Sequence, residues 1–138
     1  MKITSKPGMW PAWWMLGDNF GTDGWPACGE IDVLEDYGHS AVESSVHVAD
    51  GVGGIQSYSG GLANDDQFHV FAMEWSPTGV SFSRDGVRYA GRDWAPGFDP
   101  DRPMFMVLNL AVGGDIGKPA AELPFPVDFL IDYVRVGD

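Results

Sequence analysis

Basic residues are scarce in this chain, with 8 Lys and Arg against 20 Asp and Glu in 138 residues and a formal net charge of −12. A surface of that sign repels phosphates, so nucleic acids and anionic membrane faces are excluded as expected partners, whereas a neutral polymer is indifferent to it. Cysteine occurs once, and no internal disulfide framework can form. No apolar run approaches membrane length, and no basic segment followed by a short apolar stretch supplies a signal peptide. His39, His47 and His69 lack the His-x-x-x-His spacing that suits zinc, so no metal is expected from them. Helical periodicity is scarce, and there is no internal repeat.

What is present is apolar and aromatic: 44% hydrophobic and 13% aromatic residues are ample for one core, and a single domain over residues 1–138 is expected. Short runs rich in Val, Phe, Tyr and Trp recur between Gly, Pro, Asn and Asp clusters, which is the pattern of an all-β sandwich. Strands are predicted over Met9 to Leu16, Gly29 to Asp36, Ala41 to Val48, His69 to Ser76, Val80 to Arg84, Val87 to Gly91, Met104 to Ala111 and Val127 to Val136. Asp85-Gly86 reads as a two-residue hairpin turn. Long loops are predicted at Gly17 to Trp25, Asp50 to Gln67 and Asp93 to Pro103.

The stretch Gly29-Glu30-Ile31-Asp32-Val33-Leu34-Glu35 sets three carboxylates into an otherwise apolar strand. Alternation sends Glu30 and Asp32 to one face and Ile31 and Val33 to the other, which leaves Glu35 out of phase. A β-bulge at Val33-Leu34 slips the phase by one residue and brings all three acids together. Like charges on one wall raise the proton affinity of at least one of them. That suits glycoside hydrolysis, which needs one ionised and one protonated carboxyl, about 5 Å apart when configuration is retained. Four strand steps put the Glu30 and Glu35 backbones roughly 13 Å apart, and two long side chains leaning inward close most of that distance. The same spacing also fits a plain solvated acidic face.

Glu-Ile-Asp-Val-Leu-Glu at 30–35, preceded by Trp25-Pro26-Ala27-Cys28-Gly29, resembles the active-site signature of glycoside hydrolase family 16 in its bulged, laminarinase-like form. Gly8 to Leu16, Phe68 to Trp75, Asp85-Gly86, Leu108 to Gly114 and Ile131 to Val136 resemble further blocks of that family in its order, so the likeness covers essentially the whole chain. It implies a concanavalin A-like jelly-roll β-sandwich whose concave sheet forms a cleft for an extended glucan. Members of the family are longer, and the expectation is that this chain lacks the N-terminal part of the pattern before Met1.

Candidate binding residues carry two readings each. Trp25, in the loop before the acids, can stack on a sugar ring or fill a loop. Trp10 and Trp14 share one strand face, which the resemblance ties to the cleft, while core packing is the alternative. His47 falls where the resemblance puts a histidine beside the acids; on its own it reads equally as a hydrogen-bonded strand residue. Asn109 resembles a residue that bonds the sugar next to the scissile bond. Cys28 reads as a small buried residue, since no cation lies near it in sequence. Glu74 is left undecided, and His69 reads as structural. Asp132 resembles a contributor to a structural calcium site in many members, but the companion ligands belong to the part before Met1, so the expectation is no cofactor.

The resemblance implies an endo-acting, retaining hydrolase of β-1,3- or mixed β-1,3-1,4-glucans, with Glu30 as nucleophile, Glu35 as acid then base, and Asp32 holding their protonation states. It implies a secreted or extracellular setting and a polysaccharide as the partner. From other classes come a non-hydrolytic carbohydrate-binding domain and an inactive gene fragment. Sheet edges left open by missing strands would favour self-association.

Overall fold

Alternating apolar runs separated by glycine, proline and aspartate fold here almost wholly as strands, in a computed structural model that describes residues 1–52, 54–119, 123 and 125–137. In chain order these are β1 Lys2–Ile3, β2 Met9–Gly17, β3 Glu30–Glu35, β4 Ala41–Ala49, β5 Ile55–Ala63, β6 Phe71–Ser76, β7 Gly79–Arg84, β8 Val87–Asp93, β9 Met104–Val112 and β10 Phe129–Leu130. A single helical turn, α1 Phe20–Asp23, and a 3-10 turn at Gly114–Ile116 interrupt them. Every pairing is antiparallel. A five-stranded sheet runs β5-β4-β3-β2-β9, a three-stranded one β6-β7-β8, and β1 pairs with β10.

The two larger sheets pack face to face. Ile31, Val33 and Leu34 of β3 and Val42 and Val46 of β4 meet Phe71, Val80, Phe82 and Ala90 of the smaller sheet, with Trp13 closing one side. Burying side chains of this size contributes roughly 1.5–3 kcal/mol apiece before conformational entropy is counted. The other face of the five-stranded sheet therefore stays free of this core, and there the polar residues of the alternation collect. Asp85 and Gly86 take positive φ of 52° and 77° between β7 and β8, the two-residue turn expected.

Four stretches differ from the sequence expectation. Asp50 to Gln67 was expected as a loop but contains β5, which pairs with β4 across nine positions; residue 53 lies outside the described residues. Its Gln, Ser and Gly content hides the strand, yet Gly61 is required by close approach, because a Cβ there would sit 2.6 Å from the Val42 carbonyl oxygen. Within Gly17 to Trp25 the chain forms α1 rather than a plain loop. Of Val127 to Val136 only Phe129 and Leu130 pair, and Ile131, Tyr133, Val134 and Val136 are exposed. Alternation alone cannot make a strand that finds no partner ladder. His69 and Val70 likewise precede β6 rather than belong to it.

Candidate active site

Glu30 opens β3 directly after a tight turn. Cys28 N–H reaches the Gly24 carbonyl at 2.9 Å and Gly29 N–H the Pro26 carbonyl at 3.0 Å. Gly29 has φ +75°, so the turn favours glycine, and a Cβ on it would crowd the Phe98 ring at 3.1 Å. The Trp25–Pro26 peptide in this turn is cis. Cys28 is buried, as expected of a small core residue.

The expected bulge is present. On the β2 side Trp13 pairs with Leu34 and Trp14 with Asp32, which skips Val33; on the β4 side the register breaks between Asp32 and Glu35. Val33 and Leu34 thus both point into the core, each fully buried, and Glu35 returns to the face of Glu30 and Asp32. The ladder loses a bond at the extra residue. Ser44, opposite the bulge, restores it: its hydroxyl donates to the Val33 carbonyl at 2.7 Å and accepts from Tyr89 Oη at 2.6 Å.

Each acid has its own partners. Trp25 Nε1 donates to Glu30 Oε2. Asp32, 2% exposed, lies 3.1 Å from His47 Nε2, and His47 Nδ1 is 2.6 Å from Ser57 Oγ. Glu35, 6% exposed, accepts from Trp10 Nε1 at 2.8 Å on Oε1 and from Tyr37 Oη at 2.6 Å on Oε2. His47 pairs with Glu30 in register, and the Trp25 ring is tilted over its imidazole at 6.2 Å. Trp14, across from Asp32, donates to Asn109 Oδ1 of β9 at 2.7 Å.

Burial drives the electrostatics. It pushes Glu30 up to about 7, with the Asp32 charge adding to the rise and the Trp25 donor opposing it. Asp32 rises to about 6 for the same first reason, with His47 opposing. Glu35 also rises through burial, held back by Tyr37 and then Trp10. His47 is raised, chiefly by its bond to Asp32. Three carboxyls and an imidazole on one face, with unequal environments, can keep one carboxyl protonated beside one ionised near neutral pH.

All eight sequence-predicted residues fall on one face: the three acids with His47 against Asp32, Trp10 and Trp25 bonded to Glu35 and Glu30, and Trp14 bonded to Asn109. Trp13, of opposite phase, is in the core. Tyr37 and Ser57 were missed. Tyr37 follows Glu35 by two positions, so extending the alternation past the strand end would have found it; Ser57 lies in the unrecognised β5. His69 is held by Asp65 at 2.8 Å and Asp85 at 2.5 Å, consistent with a structural residue. Asp132 lies in the exposed, unpaired segment, and among the described residues no group of three or more His, Cys, Asp or Glu is arranged to hold a metal.

Comparison with known proteins gives a consistent outcome. The chain is 33% identical to a beta-glucanase of Rhodothermus marinus, over 98% of this chain and 54% of that protein. It is 30% identical to glucan endo-1,3-beta-glucosidase A1 of Niallia circulans, over 98% of this chain and 23% of that one. The laminarinase catalytic domain of Thermotoga maritima superposes with a TM-score of 0.77 at 34% identity, over 91% of this chain and 56% of that domain. The chain therefore spans about half the length of the first of these relatives and of that domain. Its antiparallel sandwich is the jelly roll of such neighbours, and the profile of Glycosyl hydrolases family 16 matches residues 1–134. This chain belongs to glycosyl hydrolase family 16.

Proposed function

We propose that the protein of this chain is an endo-acting β-glucan hydrolase that retains anomeric configuration, working on β-1,3- or mixed β-1,3-1,4-linked glucan in an extracellular setting, with residues 1–138 belonging to a single β-sandwich domain of which they are a part. The observation that carries this reading is the set Glu30, Asp32 and Glu35 on one sheet face, with Trp25 donating to Glu30, Trp10 and Tyr37 donating to Glu35, and His47 ion-paired with Asp32. In this reading Glu30 attacks the anomeric carbon while Glu35 gives its proton to the departing glycosidic oxygen. Glu35, now a carboxylate, then takes a proton from water, which displaces Glu30 and restores the starting configuration. Asp32, paired with His47, keeps the two glutamates in unequal protonation states. Trp10, Trp14, Trp25 and Asn109 line the approach and offer ring faces and an amide to the sugar.

The test uses an aryl β-glucan oligosaccharide whose phenolate leaves unaided. Glu35→Ala still forms the glycosyl intermediate, stalls at its hydrolysis, and is accelerated by azide with a retained product. Glu30→Ala forms no intermediate and gives the inverted azide. Swapped anomers would reverse the two roles. Full activity in both variants would remove these acids from the chemistry, and laminarin binding without product from the parent chain would favour a binding domain. Parallel assays on laminarin, lichenan, agarose and carrageenan fix the substrate, and release from agarose or carrageenan alone overturns the glucan assignment.

We further propose that the chain self-associates along β9. This strand is one of the two edges of the five-stranded sheet, and its Phe105, Met106, Leu108 and Val112 are exposed. Light scattering of the isolated chain is expected to give a dimer or larger species, and a monodisperse monomer would count against it.

A further inference from the structure

Glu35 is gripped from two sides by groups of different kind. Trp10 Nε1 on Oε1 is a donor only, whereas Tyr37 Oη on Oε2 can donate or accept. Tyr37 is itself fixed: its ring meets Trp10 edge-on at 5.2 Å and stacks on His39 at 6.0 Å, and His39 Nε2 is 3.4 Å from Glu43 Oε1. We propose that Tyr37 is a positioning residue that fixes the plane of the Glu35 carboxyl and sets its hold on the transferred proton. This rests on the acid–base role proposed for Glu35.

The two donors take one lone pair on each oxygen and stop the carboxyl turning about its last bond, so the remaining lone pairs present the proton in a fixed direction. Donation to the ionised form also favours proton release. Burial and the Glu35 charge push the Tyr37 phenol well above its ordinary range, so it keeps its own proton at any working pH. The other charges facing Glu35 are Glu30 and Asp32 on its own strand and Glu43 and His47 on β4, while its β2 partner Ala12 carries none. The carboxylates hold the proton on and His47 pulls it off. Among these neighbours, Tyr37 and Trp10 are the neutral donors that bond Glu35 directly.

The experiment is a carbon-13 carboxyl NMR titration of Glu35 in the parent chain and in Tyr37→Phe. The midpoint is expected to move up by about one unit, a tenfold rise in proton affinity, because a donor to the charged form is gone. 3,5-Difluorotyrosine at position 37 keeps the shape and donates more strongly, so it should move the midpoint down; it serves also if Tyr37→Phe folds poorly. A midpoint unmoved by either change overturns the proposal. In the Glu30→Ala background with azide, and a phenol too basic to leave unprotonated, the falling limb of rate against pH reports Glu35 alone. That limb should follow the same shift. No azide product in that background, with a normal titration shift, would sink the catalytic reading while leaving the Tyr37–Glu35 coupling intact.

Discussion

Trp25 is the residue whose two capacities can be separated. Its indole N–H donates to Glu30, and its ring is 47% exposed beside the acids. The donor favours ionised Glu30, the form able to attack, against the burial that pushes Glu30 up to about 7. On a substrate whose leaving group needs no proton, glycosylation should therefore rise with pH through about 7. Trp25→Phe keeps a stacking ring and removes the donor. Glu30 then holds its proton more tightly, and the rising limb of kcat/KM should move to higher pH by about one unit. A limb that stays in place while KM rises would make Trp25 a stacking platform alone. The three acids were legible in the sequence because period-two alternation, corrected by one bulge, orders them on one face; alternation also put Trp10 and Trp14 on a shared face, while Trp25 was picked out by its loop position and His47 by the family resemblance. Tyr37 was not, since it lies two positions past the strand end, and the alternation was not carried beyond Asp36.

Among the strands that carry the acid network, β3 departs from regularity, and its irregularity is what keeps three acids in phase. A bulge leaves a backbone carbonyl without its ladder partner, and in a core that group must be satisfied. Ser44, fully buried, does so for Val33 with Tyr89 behind it. Ser44→Ala should cost about 1–3 kcal/mol of stability, because the carbonyl is left unpaired in the core. Denaturant unfolding measures this, and a loss under a few tenths would mean another donor replaces the hydroxyl. Tyr89→Phe should cost less, since Ser44 still serves the carbonyl. The bulge itself was readable from the spacing of the acids, but the serine was not, because its role depends on the β3–β4 register. For β5 the failure was compositional: Ser57, Ser59, Gly60 and Gly61 resemble loop residues, and only pairing with β4 makes them a strand. The segment after Leu130 failed in the opposite sense, with strand-like residues and no ladder to join.

Across the molecule, sheet order and chain order agree from β2 to β5: strands adjacent in sequence are adjacent in the sheet, and only β9 joins from far along the chain. Residues 9 to 63 consequently hold every group named in the acid network, with Asn109 the outlying contributor. Hairpin pairings over such short separations close small loops, whereas β9 must find β2 across a long intervening chain. The active face should thus acquire its backbone early in folding, before the sandwich is closed. Pulse-labelled hydrogen exchange is the measure: amides of β3 and β4 should be protected before those of β9, and simultaneous protection would argue for a single concerted step. On a ribosome the same order means that the acid-bearing meander emerges and can pair while β9 is still to be made, so the chemistry-bearing half of the sheet does not wait on its distant edge.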